Sequence, residues 1–98
     1  MDMTYDQIII YYRQYAELAF KNYKPVAKGS IKPDANIQLT AYMEKFLDNA
    51  KALNIYLVEE SNKLVKEAQS TINPDKLKNH LNKIAQETLQ LFFTTYKP

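Results

Sequence analysis

Apolar side chains recur every three or four residues along most of the chain, the spacing that places them on one face of an α-helix. The longest such stretch runs from Ala35 to Thr71 and holds neither proline nor glycine. At 3.6 residues per turn this pattern predicts one continuous helix of about 37 residues and roughly 55 Å. Its apolar positions step by three, four or seven residues: Leu39, Met43, Phe46, Ala50, Leu53, Leu57, Leu64 and Ala68.

A capping signal marks the start of an earlier helix. Thr4 and Gln7 have the spacing of a capping box, in which each side chain accepts a hydrogen bond from the other residue's backbone N–H. This signal predicts a helix over residues 5–23, which stops before Pro25 because proline lacks the N–H that a helix interior needs. We interpret residues 24–34 as a linker.

The other two helix starts also carry caps. Asp34 suits the start of the central helix, predicted over residues 35–71, because its carboxylate can accept hydrogen bonds from free N–H groups. Asn73 followed by Pro74 is the sharpest boundary in the chain, since proline is favoured at the first helical position. It predicts a third helix over residues 74–96.

Three helices make the chain an all-α protein, which we treat as a single domain over residues 1–98. The outer helices, about 28 and 34 Å long, are each too short to cover the central one. If each packs on its own half of the central helix, every cross-section holds two helices, which cannot close a core. We therefore expect antiparallel dimerisation to complete a four-helix cross-section. The alternative is a break near Asn49–Asn54, which would give a monomeric four-helix bundle.

The first helix carries apolar residues over about 200° of its circumference, twice the arc that one contact needs, so we expect it to bury two faces. Asn54 and Ser61 lie one heptad apart on the inner edge of the central stripe. Asn54 could pair with its symmetry mate and fix the register; we favour a solvated margin for both residues. The predicted dimer or partner interface comprises Tyr5, Ile9, Tyr11, Tyr12, Tyr15, Phe20, Asn54, Leu57 and Ser61.

Few residues suit catalysis or metal binding. The chain has no cysteine, and His80 is its one histidine. A catalytic or metal-binding histidine needs an orienting carboxylate or further ligands, which its sequence neighbours do not supply, so we expect a solvated surface residue. The acids of the central helix are interleaved with lysines, as on a solvated helix face: Glu44, Asp48, Glu59, Glu60 and Glu67 with Lys45, Lys51, Lys63 and Lys66. We therefore predict no catalytic residue, cofactor or metal, and a protein that is not an enzyme.

Charge gives a weak indication of partners. The formal net charge is +2, and Arg13 is the only arginine beside twelve lysines. Nucleic-acid binding normally shows a basic face with arginine, so we disfavour it. Lys76, Lys78 and Lys83 lie near the start of the third helix, where they oppose the helix dipole. They are candidate contacts for an acidic partner.

Some large apolar residues lie off the predicted stripes. They either cover the other side of the bundle or form a second interaction surface, since tyrosine is enriched where proteins meet. These residues are Ile10, Ile37, Tyr42, Ile55, Tyr56 and Phe93.

We therefore expect a non-enzymatic interaction protein: a helical bundle or coiled-coil homodimer that binds itself and another protein as an adaptor, inhibitor, chaperone or assembly subunit. The first alternative is an amphipathic coat on a lipid or granule surface. The second is a weak nucleic-acid-binding accessory protein. No apolar run is long enough to span a membrane, and the acidic start lacks the basic stretch of a secretory signal. We expect a cytoplasmic location and leave export without a cleaved signal open.

Overall fold

A computed structural model describes residues 3–25, 35–68 and 72–97, although the side chains of residues 35–38 are outside that description. It contains three helices, α1 (Tyr5–Asn22), α2 (Ala35–Glu67) and α3 (Pro74–Tyr96), and those residues form no strand. The predicted all-α fold is confirmed. The first and third helices match their predicted bounds to within one residue. The predicted cap at Asp34 lies outside the described residues, as does most of the linker.

The caps that bound α1 and α3 form as the sequence predicts. The Thr4 hydroxyl accepts a hydrogen bond from the Gln7 backbone at 3.2 Å, and the Gln7 side chain accepts one from the Thr4 backbone at 2.9 Å. The Asn73 side chain accepts hydrogen bonds from the backbones of Asp75 and Lys76, at 3.0 and 3.2 Å. These bonds occupy N–H groups that have no partner within their own helix, and so fix where each helix begins.

The central helix is continuous through Asn49–Asn54, so the alternative with a break there is wrong. Asparagine is a weak helix former, but no proline or glycine interrupts this stretch. The Asn49 side chain donates a hydrogen bond to the Tyr23 carbonyl at 2.9 Å. Asn49 therefore joins α2 to the end of α1 instead of interrupting α2.

The end of α2 differs from the prediction. The helix ends at Glu67 and not at residue 71, and Ala68 is already non-helical. The Ala68 N–H is shared between the carbonyls of Leu64 and Val65, at 3.0 and 3.3 Å, as is common at helix ends. The serine and threonine that follow in the sequence are weaker helix formers than alanine or leucine. Residues 69–71 lie outside the described ranges.

The three helices form one up-down-up bundle in which each contacts the other two. The Tyr12 hydroxyl donates to the Leu57 carbonyl at 2.7 Å, which sets α1 against the second half of α2. The Tyr42 hydroxyl donates to the Tyr96 carbonyl at 2.8 Å, which sets the end of α3 against the first half of α2.

Helices α1 and α3 are also direct neighbours and run parallel. Tyr5 contacts His80 near the start of both helices, and Phe20 packs against Phe92 near their ends, with ring centres 6.1 Å apart. The predicted arrangement, with one outer helix on each half of α2, is therefore wrong. The two outer helices overlap along α2, so a three-helix section closes the core within one chain. The argument for a dimer from two-helix sections no longer applies, and dimerisation itself stays a prediction.

The core follows the axis between the three helices. The Phe46 and Phe92 rings stack with centres 5.7 Å apart, and Leu53, Leu57 and Leu77 are completely buried. The buried residues are Ile8, Ile9, Tyr12, Ala16 and Ala19 from α1, Phe46, Ala50, Leu53, Leu57, Ser61 and Leu64 from α2, and Leu77, Leu81, Ile84, Ala85 and Phe92 from α3.

The molecule is a rod of 59 × 20 × 17 Å. Because Tyr42 already contacts the last residue of α3, the first turns of α2 extend beyond the other two helices. Leu39 and Met43 belong to the predicted apolar stripe, yet they are 54% and 38% exposed. The α2 stripe is therefore longer than the surface that α1 and α3 offer to cover it.

Candidate interaction surfaces

Five of the eight tyrosines line the contact between α1 and α2, and we call them the tyrosine seam. The rings of Tyr15 and Tyr56 stack with centres 4.8 Å apart and planes 8° from parallel. Tyr11 and Tyr12 each pack against Tyr15, at 6.0 and 6.1 Å, and Tyr23 packs against Tyr56 at 5.6 Å. These separations lie in the range of favourable aromatic pairs, so the seam is one continuous row of rings.

The hydroxyl groups of Tyr11, Tyr12 and Tyr15 form hydrogen bonds from α1 to α2. Tyr11 donates to Glu60 Oε2 at 2.6 Å, and this bond, with some burial, raises the pKa of Tyr11 to about 12. Burial raises the pKa of Tyr12 above its ordinary value, and burial with a hydrogen bond to Tyr56 does the same for Tyr15. All three phenols are therefore neutral near pH 7. Their hydrogen bonds and ring contacts stabilise the contact between α1 and α2.

Ser61 lies directly behind the seam with its hydroxyl unpaired. It is 2% exposed, and its Oγ has no hydrogen-bond partner in the part of the chain that the structure describes. A helical serine usually donates to the carbonyl four residues earlier, here that of Leu57. That carbonyl already accepts the Ser61 backbone N–H within the helix and the Tyr12 hydroxyl at 2.7 Å. The Tyr12 hydroxyl therefore occupies the acceptor site on the Leu57 carbonyl that the Ser61 hydroxyl would otherwise use.

His80 contacts α1, contrary to the prediction of a solvated surface residue. Its Nδ1 lies 2.9 Å from the Tyr5 hydroxyl, which donates when that nitrogen is unprotonated, and the side chain is half-buried. The Lys76 ammonium lies 5.5 Å from the centre of the Tyr5 ring. The prediction failed because it placed helix 1 away from helix 3. No sequence signal near His80 indicates Tyr5 as its partner.

The predicted interface residues fall into three groups. Tyr11 and Asn54 are exposed, as the solvated-margin interpretation of Asn54 expected, whereas Ser61 is buried, contrary to it. Tyr5, Tyr15 and Phe20 are half-buried. The remaining four predicted residues are buried within their own chain, because α1 packs against both α2 and α3, and a partner cannot reach them in this fold. These buried residues are Ile9, Tyr12, Leu57 and Ser61.

The three candidate lysines of α3 do not share a face. All of them are exposed. Lys76 and Lys83 are seven residues apart and so lie on one side of the helix, while Lys78 is about 200° from Lys76. The structure therefore does not gather them into one cluster.

The second surface predicted from off-stripe apolar residues does not form as a unit. Tyr42 is half-buried against Tyr96, and Tyr56 belongs to the tyrosine seam. Ile10 and Ile55 are exposed but lie on different helices, and helical spacing turns Ile55 away from the side of α2 that meets α1. Phe93 packs edge-on against Phe46, on the α3 side of α2. The side chain of Ile37 is outside the description.

A groove of about 520 Å³ separates α1 from α3 on the side away from α2. Arg13, Glu17 and Glu87 line it, and Phe20 lies among its apolar residues. Glu17 also lies 3.7 Å from Lys21. Leu91 is 55% exposed and borders this groove. The groove is therefore open, with charged side chains among its lining.

The side where α2 meets α3 differs from both of these surfaces, and we call it the uncharged face. Along its middle the residues are apolar or carry a side-chain amide: Met43, Leu47, Asn54 and Val58 on α2, and Asn82, Leu89 and Phe93 on α3. The exposed Lys78 lies on the same side of α3, one turn before Asn82, towards the end of the face. Leu47, Val58 and Phe93 are 45%, 40% and 43% exposed. On α2 these positions follow the core stripe on the side opposite α1, and Lys51 lies at their outer edge. An interface core typically combines such depletion of charge with large apolar side chains.

The chain exposes more surface than its mass requires. Its accessible area is 7155 Å², roughly 1,300 Å² above the area of about 5,800 Å² that is typical of a compact monomer of this size. The radius of gyration is 16.7 Å, against about 13 Å for an ordinary domain of this length. Part of the exposed apolar surface is thus a consequence of the elongated shape.

Comparison with known proteins gave no relative: no protein-family model, curated protein or solved structure matches the chain. Within the described residues, no helix is both long enough and apolar enough to cross a membrane. The same residues contain no group of three or more acidic or histidine side chains placed to hold a metal ion.

Proposed function

We propose that this protein is a non-enzymatic helical interaction module that forms a homodimer and presents its remaining surface to another protein. The observation that carries the proposal is the uncharged face, where Leu47, Val58 and Phe93 are about two-fifths exposed beside half-buried Leu89. Several large apolar side chains exposed on one side of a protein are one mark of a surface that binds a partner.

The chemistry of the side chains supports a binding role over a catalytic one. Hydrogen bonding and burial raise the pKa values of Tyr11, Tyr12 and Tyr15, which moves these phenols further from acting as bases near pH 7. His80 Nδ1 already has Tyr5 as a hydrogen-bond partner, and the open groove beside Arg13 does not enclose a small substrate. An active site needs a nucleophile or base within reach of a protected cavity. The described residues are better suited to forming a stable rod than to proton transfer.

The homodimer is tested by size-exclusion chromatography with light scattering over a range of micromolar concentrations. We expect a mass of twice 11.5 kDa that falls towards the single-chain value on dilution. A single-chain mass at every concentration would overturn the proposal. Light scattering is needed because a rod of 59 Å elutes earlier than a compact protein of equal mass.

The two alternative functions give different results. A lipid-surface coat would sediment with vesicles through its exposed apolar residues, whereas the interaction module stays in the supernatant. A nucleic-acid-binding protein would show affinity that falls steeply with salt. The separation of Lys78 from Lys76 and Lys83 weighs against that second alternative.

A further inference from the structure

We propose that the tyrosine seam is an oxidation site, where a one-electron oxidant such as a peroxyl radical joins Tyr15 of α1 to Tyr56 of α2 through a dityrosine bond. Tyr11, with Glu60 as its proton acceptor, is the residue at which the oxidation begins. The seam and the uncharged face lie on different sides of α2, so this reaction is independent of the proposed homodimer.

The composition of the chain directs one-electron oxidation to tyrosine. The chain has eight tyrosines but neither tryptophan nor cysteine, the other two side chains that readily lose a single electron. Five of the eight tyrosines lie in the seam, and neighbouring rings there have centres 4.8 to 6.1 Å apart. At such short separations, an electron lost from one ring can be replaced by an electron from the next.

Tyr11 has the surroundings that a phenol needs in order to lose an electron near pH 7. A neutral phenol must release its proton together with the electron, because the oxidised phenol is a strong acid. The Tyr11 hydroxyl donates to Glu60 Oε2 at 2.6 Å, so that carboxylate can take the proton, and the Tyr11 side chain is 38% exposed to an oxidant. Tyr12 is different, since it is completely buried and donates to a backbone carbonyl, which is too weak a base to hold the proton.

Tyr15 and Tyr56 are the two seam residues placed for coupling. Their rings stack with centres 4.8 Å apart and planes 8° from parallel, and their hydroxyl groups are hydrogen-bonded to each other. The hydrogen bond brings the hydroxyl ends of the two stacked rings together. The ring carbons beside the hydroxyl groups, which are the carbons that a dityrosine bond joins, therefore lie close to each other. Every other ring pair of the seam has its centres at least 5.6 Å apart.

The coupling balances as two one-electron oxidations. In each, Tyr11 gives an electron to the oxidant and its proton to Glu60. Tyr11 then takes an electron from the stacked pair and its proton back from Glu60, while the pair releases a proton to water. The resulting phenoxyl radicals of Tyr15 and Tyr56 form one carbon–carbon bond, and the hydrogen on each bonded carbon moves to the phenol oxygen. The chain has then lost two electrons and two protons, and α1 is covalently joined to α2.

Azide radicals generated by radiolysis test the site, because they are small, uncharged one-electron oxidants. We expect a single-chain product with dityrosine fluorescence and a mass two hydrogens below that of the native chain. Trypsin identifies the pair, since residues 14–21 and 52–63 form peptides that each contain one tyrosine, Tyr15 and Tyr56. These two peptides should be recovered linked. A product without dityrosine, a covalent dimer, or a link between other tyrosines would overturn the proposal.

Phenylalanine variants test whether the stacked pair itself reacts. Tyr15→Phe and Tyr56→Phe keep the rings, and each should abolish the dityrosine signal. The matched control is Tyr42→Phe, which alters a half-buried tyrosine outside the seam and should cross-link in native yield. Circular dichroism should report the same helix content for all three variants. Native dityrosine yield in Tyr15→Phe would contradict the assigned pair.

A change at Glu60 tests where the oxidation begins. Glu60→Gln keeps an acceptor oxygen for Tyr11 but cannot take its proton, so we expect the dityrosine yield per dose of radical to fall about tenfold or more. The matched control is Glu59→Gln, the neighbouring exposed acid, which should leave the yield unchanged. Since the azide radical is uncharged, the loss of one negative charge does not alter its encounter with the chain. Native yield in Glu60→Gln would overturn Tyr11 as the starting point.

Discussion

The tyrosine seam and the uncharged face are two sides of the same helix, and they treat polar groups in opposite ways. At the seam, phenol hydroxyls cross from α1 to fixed acceptors on α2, such as the Leu57 carbonyl and the Glu60 carboxylate. At the uncharged face, Leu47 and Val58 stay exposed, and Asn54 has no such partner from α3 in the described part of the chain. At the seam, the hydroxyl groups of α1 find hydrogen-bond acceptors on α2 within the same chain. At the uncharged face, apolar side chains and side-chain amides remain available for contact with another molecule.

The difference shows how an amphipathic helix can carry two kinds of contact. Tyrosine suits a permanent contact at the bundle's edge, because its ring covers apolar surface while its hydroxyl reaches an acceptor. Leucine, valine and asparagine form a surface that tolerates water and can also be buried by a partner.

Shortening one leucine on each side of α2 to alanine should show which side is packed within the single chain, because the loss of stability depends on how deeply the leucine is buried. Leu57→Ala should lower the free energy of unfolding by about 2–5 kcal/mol, because it leaves a cavity behind the seam. Leu47→Ala should change it by less than about 1 kcal/mol in a dilute sample, because its side chain is already 45% exposed. Urea unfolding followed by circular dichroism measures both. Similar losses from the two variants would show that the uncharged face is packed within the single chain.

The contribution of the buried Tyr12 hydroxyl to stability can be measured with a substitution that keeps the ring. Tyr12→Phe keeps the ring and removes the bond to the Leu57 carbonyl, so we expect a loss of about 1 kcal/mol. Tyr11→Phe is the matched control and should cost less, because that hydroxyl lies at the solvent-exposed edge. If the two variants were equally stable, the buried hydrogen bond would contribute nothing beyond that of its exposed neighbour.

The unpaired Ser61 hydroxyl should be a source of instability. Ser61→Ala should gain about 1 kcal/mol, since it removes an unsatisfied buried polar group and improves helix propensity. In the Tyr12→Phe background the gain should shrink, because the serine can then donate to the freed Leu57 carbonyl. A double-mutant cycle on urea unfolding measures this coupling. Additive effects would mean that the two hydroxyls do not compete for that carbonyl.

The smallest effect concerns alkaline pH. Tyr11 ionises near pH 10 in the unfolded chain and at about 12 in the folded one. The folded state therefore holds more protons in that window, and its stability should fall as pH rises from 10 towards 12. Tyr11→Phe should make this fall less steep, as measured by unfolding at several pH values. An identical slope in wild type and variant would show that the bond to Glu60 does not persist in solution.

Local signals in the sequence were enough to predict the helices. The box of Thr4 with Gln7 and the cap of Asn73 before Pro74 act over a few residues, so the pattern located both helix starts. The apolar stripe predicted α2 as one rod for the same reason. Its end was overestimated because nothing in residues 68–71 stops a helix as sharply as proline or glycine does.

These local patterns do not predict which helices contact each other. The apolar residues of α1 show that it buries a wide face. The same face could contact two helices of its own chain, or one helix of its own chain and one of a second copy. The Tyr5 contact with His80 and the competition of Tyr12 with Ser61 depend on that choice. The uncharged face likewise exists only once Leu47 of α2 and Leu89 of α3 are brought to the same side.

The parallel pairing of α1 with α3 has a consequence for how the chain folds. Tyr5 and His80 are 75 residues apart in sequence, so this contact closes most of the chain into a loop, whereas α2 and α3 are joined by a short connection. Loop closure costs more entropy for the longer loop. We expect α2 and α3 to form a hairpin first and α1 to dock last, so that destabilising changes in α1 mainly speed unfolding while those in the hairpin slow folding.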